Sequence, residues 1–372
     1  MAMQRVPFAD QIGRSFEALS LGGLIAAQRH LVESAKDQFR RDTSSLMDPI
    51  GTQLLHACFS AASPSLKEEY QGKTRSYQLT VLDTEICNAC AVGGRNGAAV
   101  IVHRGLIKCI IFYIELEFIA QALFTYAEDV VHADRDAMGE VYRLVWNASY
   151  LLTHYTRGVD LLPWLGENLD NSTRSYIAIR VSHALWFIVM HEIGHVELGH
   201  LTGEGSVIPA VYPSLALQEP LNELKAQEFA ADAYVVNSLQ ADAVPHTAGF
   251  VLPALKMLSD IEARLRTSTD THPLALNRLH HMRELLKSTA DVGADNALQR
   301  SVENEMKAWN FMSRLERADA LAASPDEAAC ALRTVLEIYA SLPPGSSHAY
   351  DLERGEFWAT ILRAWWTKAP DG

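Results

Sequence analysis

Basic charge is scarce in this 372-residue chain: 32 lysines and arginines stand against 45 aspartates and glutamates, a net charge of −13. No basic face can collect the counterion-release energy that phosphate backbones offer, so nucleic acid is excluded as an expected ligand. Cysteine is sparse too. Cys58, Cys87, Cys90, Cys109 and Cys330 make an odd number at scattered spacings, the pattern of reduced thiols rather than of a disulfide framework, and we expect a cytoplasmic protein. The lone C-x-x-C of Cys87 and Cys90 lacks the second pair of a structural zinc site. On a strand its members would face opposite sides, so both read as small core residues. Long apolar runs are missing as well. The opening MAMQRVPFADQIG has none of signal-peptide length, and the nearest approach to a membrane span, Leu106 to Tyr126, is interrupted by Lys108, Glu115 and Glu117. Such charges are costly in hydrocarbon, so no membrane span is expected.

What the chain does have is length enough to bury a substantial core. Helical spacing of apolar residues runs over Phe8 to Arg41 and Asp48 to Ala61. From Ser76 the period changes. SYQLTVLD, EICNACAV and AAVIVHRG are short β-branched runs separated by acidic residues and by GGRNG, predicting a sheet of three or four strands. Helix is expected again over Leu106 to Ala127 and Asp136 to Tyr155, then a connecting loop over Arg157 to Asn171. Asn171, Ser172 and Thr173 supply capping oxygens for the helix that follows. Thr202 to Pro220, with Gly203, Gly205, Pro209, Pro213 and Pro220, reads as a loop. Further helices are predicted at Asn222 to Leu239, His246 to Arg266 and Leu274 to Lys287, and the tail from Asn296 to Trp366 is helical by period. The fold class is α+β, mainly α, with a small antiparallel or mixed sheet. We divide it into an N-terminal helical region (1–72), a core (73–290) and a C-terminal helical region (291–372) that could all pack as one domain. Trp309, Trp358, Trp365 and Trp366 would pack the tail onto the core, with an aromatic patch for a regulatory partner as the alternative.

The chemistry concentrates in SHALWFIVMHEIGHVELGHL, Ser182 to Leu201, which carries His-Glu-x-x-His at His191, Glu192 and His195. Residues four apart share one helix face, so both imidazoles can reach one ion with Glu192 beside them. The stretch Tyr176 to Met190 before them is largely apolar and free of Pro and Gly, as suits a buried helix. A catalytic zinc takes three protein ligands and leaves one position open. A metzincin would need Gly at 198 and His at 201, where the chain has Leu198 and Leu201, with His200 one residue early. The remaining option is a glutamate on a following helix. In EFAADAY, Glu228 and Asp232 lie four apart, so Glu228 can ligate while Asp232 holds a ligand histidine by its second nitrogen. Glu219 and Glu223 compete but have no carboxylate four residues on. The set His, His, Glu is the gluzincin one, with the zincin-like core that name implies.

HEIGHVELGH followed by Glu-x-x-Ala-Asp resembles the zinc motifs of the CaaX prenyl protease and HtpX group of gluzincin peptidases. NACA at Asn88 to Ala91 with VIVHRGLI at Val100 to Ile107, and THPLALNRL at Thr271 to Leu279, are similar to that group's edge strand and Ser/Thr-His-Pro motif. The resemblance covers motifs between Gln78 and Met282. Soluble bacterial phage-exclusion metallopeptidases have a comparable core without membrane helices and are the alternative kin. The resemblance implies that Asn88 and Ala89 hold substrate backbone on an edge strand, and that His272 donates to the oxyanion. It also brings in Arg278, to orient that histidine or the carboxylates, although a structural ion pair is its plainer reading.

These readings converge on an expectation of a zinc-dependent endopeptidase. Zn²⁺ sits on His191, His195 and Glu228, Glu192 is general base, and the substrate is a protein or peptide laid along an edge strand. Three alternatives stand beside it: an exopeptidase, a narrow or latent protease with one cellular target, and a non-catalytic zinc-stabilised scaffold. In the latent form, the Thr202 to Pro220 loop, the tail, or Cys90 would close the site. His200, His280 and His281 read as polar helix positions.

Overall fold

The computed structural model describes residues 47–62, 66–74, 77–84, 88–94, 97–115, 118, 171–201, 207–209, 221–240, 255, 273 and 275–289. The expected helices at Phe8 to Arg41, Asp136 to Tyr155 and His246 to Arg266, the tail and its tryptophans, and Cys87 and His272 lie outside the described residues or nearly so. The chain falls into two compact units, one of Met1–Ile107, Thr156–Gly158 and His183–Val302, the other of Lys108–Tyr155, Val159–Ser182 and Glu303–Gly372.

In the first unit, helix α1 (Pro49–Ala62) starts where Asp48 accepts hydrogen bonds from the backbone N–H groups of Ile50 at 3.1 Å and Gly51 at 2.8 Å. Pro49 sits at the first helical position, where its missing N–H costs nothing. Helix α2 (Glu68–Thr74) follows, then strands β1 (Gln78–Leu82), β2 (Ala89–Gly94) and β3 (Gly97–His103). A helical run over residues 104–115 comes next. The long helix α3 (Asn171–Glu197) contributes residues to both units, and β4 (Val207–Pro209), α4 (Leu221–Asn237) and α5 (Ala275–Thr289) complete the described elements.

The sheet has the order β1-β3-β2-β4, with β1 parallel to β3 and the other pairs antiparallel. Central β3 buries Ala99, Val100, Ile101, Val102 and His103 in succession, as a strand covered on both faces does. The sheet is therefore mixed and small within a mainly helical set of elements, as the sequence leads one to expect. One expectation fails. β2, carrying Ala89, is not an edge, because β4 pairs alongside it, with Cys90 opposite Pro209, Ala91 opposite Ile208 and Val92 opposite Val207. The Gly/Pro-rich segment after α3 thus supplies a strand, because three extended residues need only find unpaired backbone groups on β2.

Among the described residues one stretch, Arg174–Glu197, is long and apolar enough by length and composition to cross a membrane, and 89 % of its most apolar window is buried inside the protein. That is how a core helix looks.

Candidate metal centre

Helix α3 carries His191, Glu192 and His195 on buried turns flanked by Phe187, Ile188, Val189, Met190 and Ile193, all buried. Helix α4 brings Glu228 and Asp232, four residues apart, onto the same spot. The two helices can approach because residue 194 is glycine. A Cβ there would lie 3.2 Å from the Tyr234 Cβ and Cδ1 and 3.3 Å from the Ala231 Cα. Glycine at this crossing is therefore a packing requirement rather than a break in the helix.

The ligand atoms of His191, His195 and Glu228 all lie within 4.8 Å of one another, a buried group that could hold a metal ion. The Nε2 atoms of the two histidines are 3.1 Å apart, Glu228 Oε2 is 3.3 Å from His191 Nε2, and Glu228 Oε1 is 3.3 Å from His195 Nε2. Ligands about 2.0–2.1 Å from a tetrahedral zinc are separated by about 3.3–3.4 Å. The imidazole–imidazole distance is close to that separation, and Glu228 turns a different oxygen toward each histidine, so the group offers the two imidazoles and the carboxylate that zinc takes as donors.

The second nitrogens fix the rings. His191 Nδ1 lies 3.0 Å from Asp232 Oδ1 and donates to it. Arg278 on α5 grips the same carboxylate by two bonds, Nε to Oδ2 at 2.9 Å and Nη2 to Oδ1 at 2.8 Å. Its Nη2 is also 3.3 Å from His191 Nδ1, and its Nη1 is 3.7 Å from Glu228 Oε2. Arginine only donates, so the His191 proton goes to Asp232. His195 Nδ1 faces His200 Nδ1 at 3.0 Å.

Electrostatics follow from burial. Burial and the Arg278 charge press the His191 pKa down, but its hydrogen bonds to Asp232 and Glu228 prevail and hold it up at about 9. Burial draws His195 down to about 4. Burial works upward on Asp232 as well, yet the Arg278 guanidinium keeps it below the usual carboxylate range. Glu192 is lifted to about 8, first by burial, with the His191 charge opposing and the Glu228 carboxylate adding. Among the described residues neither Glu192 oxygen meets a donor at full hydrogen-bond geometry, although the Ala91 amide is near enough to favour the carboxylate.

Other residues singled out in the sequence distribute as follows. Asn88 and Ala89 are fully buried at the start of β2, the Asn88 carbonyl accepting the His103 amide at 3.0 Å. Cys90 is a buried thiol on β2 and is not part of the metal-holding group. Glu223 lies on α4 but outside that group. His200 was missed: it is not a helical position. The overlooked signal is Gly199, a glycine placed to end a helix.

Residues 119–298 match the family model described as Peptidase U49, slightly under half of the chain. The span contains α3, β4, α4 and α5, and so His191, Glu192, His195, Glu228, Asp232 and Arg278. The comparisons with curated proteins and with solved structures give no match. The region holding the site is thus similar to a peptidase, and hydrolysis of peptide bonds in a protein substrate is the activity the match supports. It also corrects the kinship drawn from the motifs. The matching family is the phage-exclusion peptidase group and not the CaaX prenyl protease and HtpX group. His-Glu-x-x-His and Glu-x-x-Ala-Asp express what any His, His, Glu metal site requires of two helices, so they do not separate such groups. The Asn88-Ala89 stretch that pointed to the CaaX side lies outside the matched span.

Proposed function

We propose that the protein is a zinc-dependent endopeptidase of gluzincin type. The observation that carries this reading is the convergence of His191, His195 and Glu228, with ligand atoms all within 4.8 Å of one another, and Glu192 buried beside them. A zinc ion there would supply a Lewis acid that polarises a scissile carbonyl and acidifies water. Asp232 and Arg278 orient His191, so its Nε2 lone pair faces the ligand cluster. Glu192 acts as general base, taking the proton of the attacking water and delivering it to the leaving amine. His272 is the proposed donor to the oxyanion, supported by its place six residues before Arg278, which reaches the site. Asn88 and Ala89 are proposed to act on extended substrate backbone only where a substrate strand replaces β4 beside β2.

The test compares wild-type protein with Glu192→Gln, both zinc-loaded, in cell extract, counting new protein N-termini. Glu192 is not a ligand, so both should hold one zinc and only wild type should create termini. Termini made equally by both would sink the assignment of Glu192, and a wild type that holds zinc but makes none would favour the scaffold reading.

The pairing of β4 on β2 favours a second, narrower reading: a latent protease with one cellular target. The His103 amide donates to the Asn88 carbonyl. Because pairing alternates along antiparallel strands, the backbone groups of Ala89 and Ala91 then face away from β3, toward β4. A substrate strand laid beside Ala91, near Glu192, would take the position β4 holds. Ile208→Pro removes an N–H from the middle of β4. If β4 restrains activity, this variant should cleave faster than wild type, whereas unchanged cleavage would count against latency.

A further inference from the structure

The ring contact between His195 and His200 has no part in the chemistry above, and it is built by the way α3 ends. Gly199 adopts φ +71°. Its N–H bonds the Val196 carbonyl at 3.1 Å, and the His200 N–H reaches back to the His195 carbonyl at 2.9 Å. These are the two bonds of a Schellman cap, whose left-handed residue is usually glycine because a Cβ is disfavoured there. The cap stops the helix one turn past His195 and folds the next residue back over it. That residue is His200, with rings 5.1 Å apart at 66° and the two Nδ1 atoms at 3.0 Å. Were the helix to run on to Leu201, His200 would lie five positions from His195 and off its face.

We propose that His200 is a positioning residue for the metal ligand His195, accepting its Nδ1–H so that Nε2 keeps its lone pair for the ion. The inference rests on the metal site proposed above. A contact between two imidazole nitrogens holds one proton, so one ring donates and the other accepts. A histidine that ligates through Nε2 carries its proton on Nδ1, which makes His195 the donor and places the His200 proton on its Nε2. The two ligand histidines are thus supported differently. His191 donates to a carboxylate whose charge Arg278 shares, while His195 donates to a neutral ring. A neutral acceptor raises ligand basicity less than a carboxylate does, leaving more positive charge on the ion.

The test measures zinc affinity of the full chain by competition with a chromophoric chelator, for wild type, His200→Ala and His200→Asn. Thermal melting of the metal-free proteins serves as the folding control. Asparagine offers an acceptor oxygen near the place of Nδ1. We expect His200→Ala to bind zinc about 10- to 100-fold more weakly, as when other supports of ligand histidines are removed. His200→Asn should recover most of the loss. Nitrogen-15 spectra of the zinc-loaded proteins should show His195 as a single Nδ1–H tautomer in wild type and in His200→Asn, and not in His200→Ala. Equal affinity of wild type and His200→Ala overturns the inference alone. So does equal weakening in both variants, which would mean that ring packing and not acceptance matters. A wild type that takes up no zinc overturns the metal site itself, and this inference with it.

Discussion

Gly194→Ala is the substitution in which packing and metal binding are most tightly coupled. The added Cβ would meet Tyr234 Cβ and Cδ1 at 3.2 Å and Ala231 Cα at 3.3 Å, against about 3.5–4.0 Å for comfortable carbon contacts. About half an ångström must be found. The Tyr234 ring edge can rotate, but its Cβ and the Ala231 Cα belong to α4, so the helix itself must move. Glu228 lies one turn before Ala231 on that helix and would be carried with it, while metal–ligand distances tolerate only about 0.2 Å. Alanine would favour α3 by about 1 kcal/mol through helix propensity, and overpacking would cost about 1–3 kcal/mol. Folding stability should therefore fall modestly, by about 0–2 kcal/mol. Zinc affinity should fall much further, about 10- to 100-fold, as when ligand support is disturbed. Chelator competition gives the affinity, and denaturant melts with and without zinc give the stability. A variant that binds zinc as tightly as wild type and is also more stable would refute the close crossing of α3 and α4.

Four further outcomes are expected. Asp232→Ala leaves the Arg278 guanidinium buried without its two bonds and should destabilise the protein by about 3–5 kcal/mol in urea melts. Burial lowers the His103 pKa from 6.5 to about 3, so between those values the unfolded chain binds a proton that the folded one refuses. Stability is thus full above pH 6.5 and declines as pH falls, by about 2 kcal/mol at pH 5. His103→Gln should flatten that part of the pH–stability curve. Stripping zinc with a chelator should lower the melting temperature and re-addition restore it, since the ligand cluster exists only in the folded chain. Glu228→Gln should weaken zinc binding more than Asp232→Asn does, because it removes a charged ligand rather than the support of one. Equal losses would contradict that ranking.

The parts of the molecule legible in the sequence are those set by local periodicity. His191 and His195, like Glu228 and Asp232, are four apart, and a helix leaves such pairs no choice but one face. The β-branched runs of β1, β2 and β3 announced a sheet for the same kind of reason. β4 was illegible: three residues in a segment of prolines and glycines show no alternation, and its pairing reaches from Ile208 back to Ala91. His200 is illegible by periodicity, because Gly199 ends the helix just before it. Arg278 was legible as an ion-pair former, but its partner Asp232 is 46 residues away, and only the packing of α5 on α4 brings them together. Kinship was the least legible property, because its motifs state the needs of the metal rather than of a lineage.

Strand β4 changes the arithmetic of binding. A segment tethered to the protein meets its docking edge at an effective concentration of about millimolar, whatever the protein's own dilution. A free peptide seeking the side of β2 near Ala91 competes against that standing concentration, so its apparent affinity is lowered by the occupancy of β4. A polypeptide held to the same protein at a second point would compete on equal terms. Short free peptides should then be poor substrates whatever their sequence, and a folded protein that docks elsewhere first should be a good one.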